Sequence, residues 1–153
     1  LDFLEFPPSH TCDGDDSSPR IRIGNLSSHS LAVMAVNPFI PSCCSFTPWL
    51  AWNFPPVDVI PSGLPKEGII SSPVKAVQGR HDLGRIGYTG PCPPRGNTHR
   101  YTFKVWGLDR MLDLPPGASK GDLIGAMRGH VLQYGELPHY ARGEPEGPKG
   151  DFL

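Results

Sequence analysis

The residues best equipped for chemistry lie in one window, Gly87-Tyr88-Thr89-Gly90-Pro91-Cys92-Pro93-Pro94-Arg95-Gly96-Asn97-Thr98-His99-Arg100-Tyr101. Pro91, Pro93 and Pro94 with Gly87, Gly90 and Gly96 stiffen a loop that delivers His99 and Tyr101 to the start of a strand, where alternation sends both to one side. An imidazole and a phenol offer hydrogen-bond partners without a strong nucleophile. That pairing suits the holding of an oxyanion such as phosphate or carboxylate. The plainer alternative is that His99 ties down the loop and Tyr101 is core. Cys92 and His99 could also be nucleophile and base of a hydrolase. Against this, there is no Gly-x-Ser-x-Gly or comparable nucleophile turn, and no third residue orients the imidazole.

Other polar groups read as structural. Asp13-Gly14-Asp15-Asp16-Ser17-Ser18-Pro19 resembles a calcium loop only superficially, because the position that needs a closing Glu holds Ile or Gly. His81-Asp82 and His139-Tyr140 fall in a loop or near a helix end, where solvated polar residues are ordinary, and His130 ends a helix, where the dipole favours a positive imidazole. Cys12, Cys43, Cys44 and Cys92 show no C-x-x-C spacing, so no metal site is expected, and a disulfide framework would need an oxidising compartment.

The elements that must position these groups are short. The 153 residues include 18 Gly and 19 Pro, which cap the length of any regular element and exclude long-helix folds. Fourteen Lys and Arg against 15 Asp and Glu give a net charge of −1, and Arg20-Ile21-Arg22 with the scattered cations forms no basic stripe, so nucleic acid is not an expected partner. No apolar run reaches the roughly 20 residues that span a bilayer, and Leu1-Asp2-Phe3-Leu4-Glu5-Phe6 lacks the basic start of a secretory signal. A cytoplasmic protein without a transmembrane segment is expected.

Ser30–Val36 is a continuous apolar run, as in a strand covered on both faces, and Thr47–Phe54 is a second strand stopped by Pro55-Pro56. Trp49 and Trp52, three apart, should pack on opposite layers. Residues 57–85 read as surface loop with at most short strands. Arg100–Trp106 alternates, with Tyr101, Phe103 and Val105 on one face. One helix is expected over Ala118–Leu132, capped by Ser119 with Asp122, carrying Leu123, Ile124, Met127 and Val131 on one face and Gly121, Gly125 and Gly129 where it approaches a sheet. The reading is a single domain over 1–142 and a flexible, Pro/Gly-rich tail over 143–153.

The windows Tyr88–Pro94, Thr98–Phe103, Leu108-Asp109, Gly117-Ala118-Ser119, Ala126–Leu132 and Gly135-Glu136-Leu137, preceded by Thr11-Cys12-Asp13-Gly14, Ser18-Pro19 and Trp49–Pro56, resemble the phosphatidylethanolamine-binding protein family, in its prokaryotic, Raf kinase inhibitor-like branch. The likeness runs from about residue 3 to 142, in order and at compatible spacings. It implies a mainly antiparallel β-sandwich with a few short helices, no catalytic triad and no obligatory cofactor. It also implies an anion pocket at one end of the large sheet, built from an Asp-Pro-Asp-x-Pro segment, a His-Trp pair and the Gly-Pro-x-Pro-Pro to His-Arg-Tyr window. Members act by binding, as inhibitors or regulators of kinases and serine proteases and as binders of phospholipid head groups; homodimers are implied by the prokaryotic relatives.

Carried over by position, the implied ligand-binding residues are Asn37, Pro41, Pro48, Gly90, Pro91, Pro93, Pro94, His99 and Tyr101. The first half of the pocket departs from the pattern: Asn37-Pro38-Phe39-Ile40-Pro41 replaces the acidic segment and Pro48-Trp49 the His-Trp pair. Loss of an imidazole at 48 removes a charge-assisted hydrogen bond worth ~1.5–3 kcal/mol, about 10- to 100-fold in affinity. Loss of the carboxylates removes repulsion, but also the partners that keep His99 protonated. The expected protein is therefore a non-enzymatic binder of a small anion, phosphate or a head group, with weakened affinity. The alternatives are a scaffold whose anion site is lost and the Cys92/His99 hydrolase.

Overall fold

The computed structural model describes residues 18–24, 27–37, 46–90 and 98–142. A six-stranded antiparallel sheet runs in the order β5 (Ile69–Ile70), β6 (Ala76–Gln78), β3 (Phe46–Phe54), β2 (Ser30–Asn37), β7 (Thr98–Leu108), β8 (Val131–Arg142). A separate two-stranded sheet pairs β1 (Ile21–Arg22) with β4 (Val59–Ile60), and one helix among the described residues, α1, spans Lys120–Met127.

The apolar run of β2 exists because both faces are covered. Leu31, Val33 and Ala35 enter one core with Trp49, Ala51, Phe103 and Tyr88, over which lie Ile21 and Ile60 of the small sheet. Ala32, Met34 and Val36 enter a second with Leu50, Trp52, Leu108 and the helix residues Leu123 and Met127. Trp49 and Trp52 do pack on opposite layers. Simple alternation would then put Phe54 beside Trp52, yet Phe54 belongs to the Trp49 core. The reason is a bulge: Leu31 faces Phe54 and Val33 faces Ala51, so β3 carries one extra residue there. Asn53 absorbs it at φ +61°, a conformation Asn tolerates. Its amide is fixed by donating to Leu112 O (2.9 Å) and accepting from Leu112 N–H (2.7 Å).

Three expectations change. Residues 57–85 do hold only short strands, but they are no surface strap: Ile60, Leu64, Ile70, Val74 and Ala76 are core, and Gln78 and His81 are buried. The helix starts as expected, with Asp122 N–H donating to Ser119 Oγ and Ser119 N–H donating to Asp122 Oδ2, but it ends at Met127. Arg128 leaves the helix at ψ 126° and Gly129, at φ +83°, completes the turn that only a glycine makes easily, after which the chain from Val131 becomes the long strand β8. Ile124 and Val131 are consequently 41% and 44% exposed rather than inward. Nor does the glycine spacing mark close packing on a sheet, since a Cβ on Gly125 would meet nothing within 4 Å.

His130 lies in the turn between α1 and β8, its N–H donating to Met127 O (2.9 Å) and its Nδ1 3.1 Å from Asp109 Oδ1. His139 and Tyr140 belong to β8 rather than to a loop. The four cysteines, most of the Asp13–Pro19 cluster and the 143–153 tail lie outside the described residues. Among the described residues no helix is long and apolar enough to cross a membrane, and no group of three or more His, Cys, Asp or Glu is arranged to hold a metal ion.

Candidate functional site

Strand register brings the separate candidate segments to one end of the large sheet. β2 runs antiparallel to β7, with Ala35 opposite Phe103 and Val36 opposite Thr102. The paired register ends there, with Asn37 following Val36 and Tyr101 preceding Thr102, and His99 lies two residues beyond Tyr101, about 6.8 Å along the strand. On its other side β7 pairs with β8, Tyr101 facing His139 and His99 facing Ala141. Asn37 faces Phe46 at the start of β3.

Pro48 sits where a proline is tolerated. Ala35 faces Trp49 and Asn37 faces Phe46, so Thr47 and Pro48 of β3 oppose Val36 alone. A second bulge thus places the residue that lacks an N–H where ladder bonding is already broken. On the opposite flank β6 has ended at Gln78, and residues 79–90 take over as the neighbour of β3. Gly79 N–H donates to Leu50 O (3.0 Å), Asp82 N–H to Thr47 O (3.1 Å) and Thr89 N–H to Pro48 O (3.2 Å). Asp82 Oδ2 accepts from Thr47 N–H (2.7 Å). A single loop therefore satisfies the main chain that the bulge leaves open. Thr47 Oγ1, buried, has no hydrogen-bond partner among the described residues.

The approach to Gly90 is fixed as firmly. Gly87 has φ +103°, and a Cβ there would lie 2.7 Å from Lys66 Cβ, so only glycine fits. Buried Tyr88 meets Trp49 edge to face, ring centroids 5.7 Å apart at 84°. Trp49 in turn donates its Nε1–H to Gln78 Oε1 (2.8 Å), while Gln78 Nε2 donates to Pro65 O (2.7 Å) and Glu67 O (2.9 Å).

His81 completes the clamp. It is 4% exposed, with Nε2 2.9 Å from Thr89 Oγ1 and Nδ1 accepting from Leu83 N–H at 3.1 Å. An accepting Nδ1 is unprotonated, so Nε2 carries the hydrogen and donates to Thr89. Burial, then the positive charge of Arg85, holds its pKa below the ordinary 6.5, which keeps the imidazole neutral at pH 7.

Of the nine positions expected from sequence, Asn37, Pro48, Gly90, His99 and Tyr101 lie in described segments: Asn37 closes β2, Pro48 and Gly90 are buried, and His99 and Tyr101 open β7. Pro41, Pro91, Pro93 and Pro94 lie outside the described residues, as does Cys92. Sequence reasoning passed over the brace formed by Thr47, Gln78, His81, Asp82 and Thr89. His81-Asp82 was expected to be solvated; Asp82 is exposed, but the imidazole is buried against Thr89. The one legible signal was Pro48 itself, since a proline inside a strand demands a bulge and a substitute partner.

A mainly β protein results, with one large antiparallel sheet covered on both faces and residues 79–90 bonded beside the start of β3 at one end. The phosphatidylethanolamine-binding protein family matches residues 3–140, and the chain belongs to that family. A UPF0098 protein of Pyrococcus horikoshii is 52% identical over 134 residues, covering 86% of this chain and 67% of that protein. A UPF0098 protein of Pyrococcus abyssi is 49% identical over 134 residues, covering 86% and 75%. Among solved structures, a phosphatidylethanolamine-binding protein homologue of Chlamydia trachomatis superposes with a TM-score of 0.81 at 29% identity, covering 92% of this chain and 90% of that one. Escherichia coli YbcL, described as a member of the mammalian family, gives 0.77 at 26% identity, covering 92% of each chain.

Proposed function

We propose that this protein is a non-enzymatic binder of a small anion, phosphate or a phospholipid head group, and acts as an inhibitor or modulator of a kinase or serine protease. The observation that carries the reading is convergence: strand register sets Asn37 beside the start of β7, and the bond from Thr89 N–H to Pro48 O sets Gly90 beside the start of β3. Asn37, Pro48, Gly90, His99 and Tyr101 form the cup in this reading, with Pro41, Pro91, Pro93 and Pro94 in the two flanking segments. No carboxylate stands at 37 or 39, so the cup lacks a built-in repulsion of anions, and no imidazole stands at 48 to strengthen their binding.

Titration with inorganic phosphate and with phosphoethanolamine, followed through the His99 ring resonances, tests the site. Saturable shifts with an affinity no tighter than the millimolar range, abolished by His99→Ala, are expected. Micromolar affinity would overturn the claim of a weakened site, and an unmoved His99 at 50 mM phosphate, on the order of ten times a millimolar-range Kd, would overturn the site itself. A panel of serine proteases, assayed with wild type and His99→Ala, separates the cup from the rest of the surface: inhibition that survives the substitution puts the partner elsewhere.

A further inference from the structure

We propose that His81 is a positioning residue for the 88–90 loop, a latch whose neutral imidazole holds that loop on the bulged start of β3 and whose protonation releases it. Its effect on binding rests on the anion-site reading above; the latch itself does not.

The geometry makes the imidazole a keystone of a closed turn. His81 N–H donates to Arg85 O (2.9 Å) and Gly84 N–H donates to His81 O (2.8 Å), so residues 81–85 fold back around the ring. Within that turn Nδ1 takes the Leu83 N–H, and on the far side Nε2–H reaches Thr89 Oγ1. Thr89 is the residue whose N–H meets Pro48 O, and Pro48 has no N–H with which to return a bond. Side-chain support for the loop at this point includes Tyr88 against Trp49 and His81 through Thr89.

A proton added at Nδ1 turns the acceptor into a donor that faces Leu83 N–H. Two donors cannot pair, so the ring must leave the turn and take Nε2 away from Thr89. The charged groups around the ring decide when this happens. Arg85 on the same turn and Lys66 from the 61–68 stretch oppose an imidazolium, whereas Asp82 favours one. Asp82 Oδ2 already accepts from Thr47 N–H. The latch is thus shut at neutral pH and opens in acid. Functionally, one of the side chains that hold the loop leading to Gly90 responds to the proton concentration.

Two measurements on the full chain test this. The first is ligand-free: ring nitrogen shifts give the tautomer, and amide exchange at Leu83 and Thr89, corrected for intrinsic rates, is followed from pH 8 to 4.5. An Nε2–H tautomer at pH 7 and an about tenfold or greater loss of protection at both amides as the ring titrates are expected. In His81→Asn, where Oδ1 can accept the same Leu83 N–H in an Asx turn, the pH step at Leu83 should vanish. An Nδ1–H tautomer, protection that stays flat to pH 4.5, or the same step in the Asn variant would each overturn the latch; the tautomer test needs no variant to fold. The second measurement is sulfate affinity, since sulfate keeps its charge across this range. Protonation of His99 would raise that affinity in acid, so a fall that tracks the loss of protection supports the coupling and a rise overturns it. A clear exchange step with no sulfate binding at any pH leaves the latch standing and sinks the anion-site reading.

Discussion

Replacing Gln78 by Leu should expose how the frame around Trp49 is built. Gln78 is buried and makes three side-chain hydrogen bonds: it accepts from Trp49 Nε1–H and donates to Pro65 O and Glu67 O. Leucine fills similar volume but pairs with none of them. Trp49 is fully buried, so its indole N–H is orphaned at about 1–3 kcal/mol. Pro65 and Glu67 are more accessible, and water can replace the lost donor at a further ~0.5–1 kcal/mol in total. The sum, about 3 kcal/mol at mid-range, corresponds at ~3 °C per kcal/mol to a Tm lower by about 9 °C. Urea unfolding should show a shifted midpoint with an unchanged slope. Part of the loss is specific to the indole, so in a Trp49→Phe background the same Gln78→Leu change should cost about 1–2 kcal/mol less. A penalty under about 1 kcal/mol, or one equal in both backgrounds, would refute the claim that this bond fixes Trp49 and hence the platform under Tyr88.

Two further expectations follow from local geometry. Gly87→Ala meets both a positive φ and a clash with Lys66, whereas Gly84→Ala, at φ +80° with nothing within 4 Å, meets the backbone penalty alone. Urea midpoints should put Gly87→Ala at about 2–3 kcal/mol of destabilisation and Gly84→Ala near 1 kcal/mol; equal values would remove the argument for close packing. The phenol of Tyr134, half exposed with its other side against Trp106, is pushed up to about 12, first by the water lost on that covered side and then by its hydrogen bond to the Glu136 carboxylate. Spectrophotometric titration should find one tyrosine ionising well above 10.0 whose pKa falls in Glu136→Gln, and ionisation of Tyr134 near 10.0 in the wild type would contradict the contact.

How far the sequence could be read depended on whether burial left a mark on it. β2 declares itself because both faces are covered, and a strand in that setting has no polar positions. β8 does not, because residues 131–136 at the edge of the sheet are largely exposed on both sides and show no alternation. Their apolar residues continued the spacing of Leu123 and Met127 and passed for more helix. Gly129 was the overlooked stop, since a glycine after the last periodic residue permits the turn that ends a helix. His81 was hidden for a different reason: composition around it reports a loop, and a loop is presumed wet, but this loop is drawn under β3 by main-chain bonds that no side-chain pattern encodes.

That substitution of loop for strand explains why the departure at Pro48 leaves the fold intact. A proline in the middle of a paired interior strand would orphan an acceptor on its neighbour. Here Pro48 lies in a bulge against β2, and β6 has already ended on the other flank, so no ladder bond depends on its missing N–H. Its carbonyl still needs a donor, and Thr89 supplies one. That bond, the Asp82 bond to Thr47, the packing of Tyr88 on Trp49 and the contact of His81 with Thr89 share the work of holding the loop. In the proposed anion site the missing imidazole at 48 therefore changes the contacts on offer, while residues 79–90 still fix the main chain beside Pro48. In the proposed latch His81 acts on residues 88–90 through the position of Thr89, whereas a histidine at 48 would act by contact with the ligand.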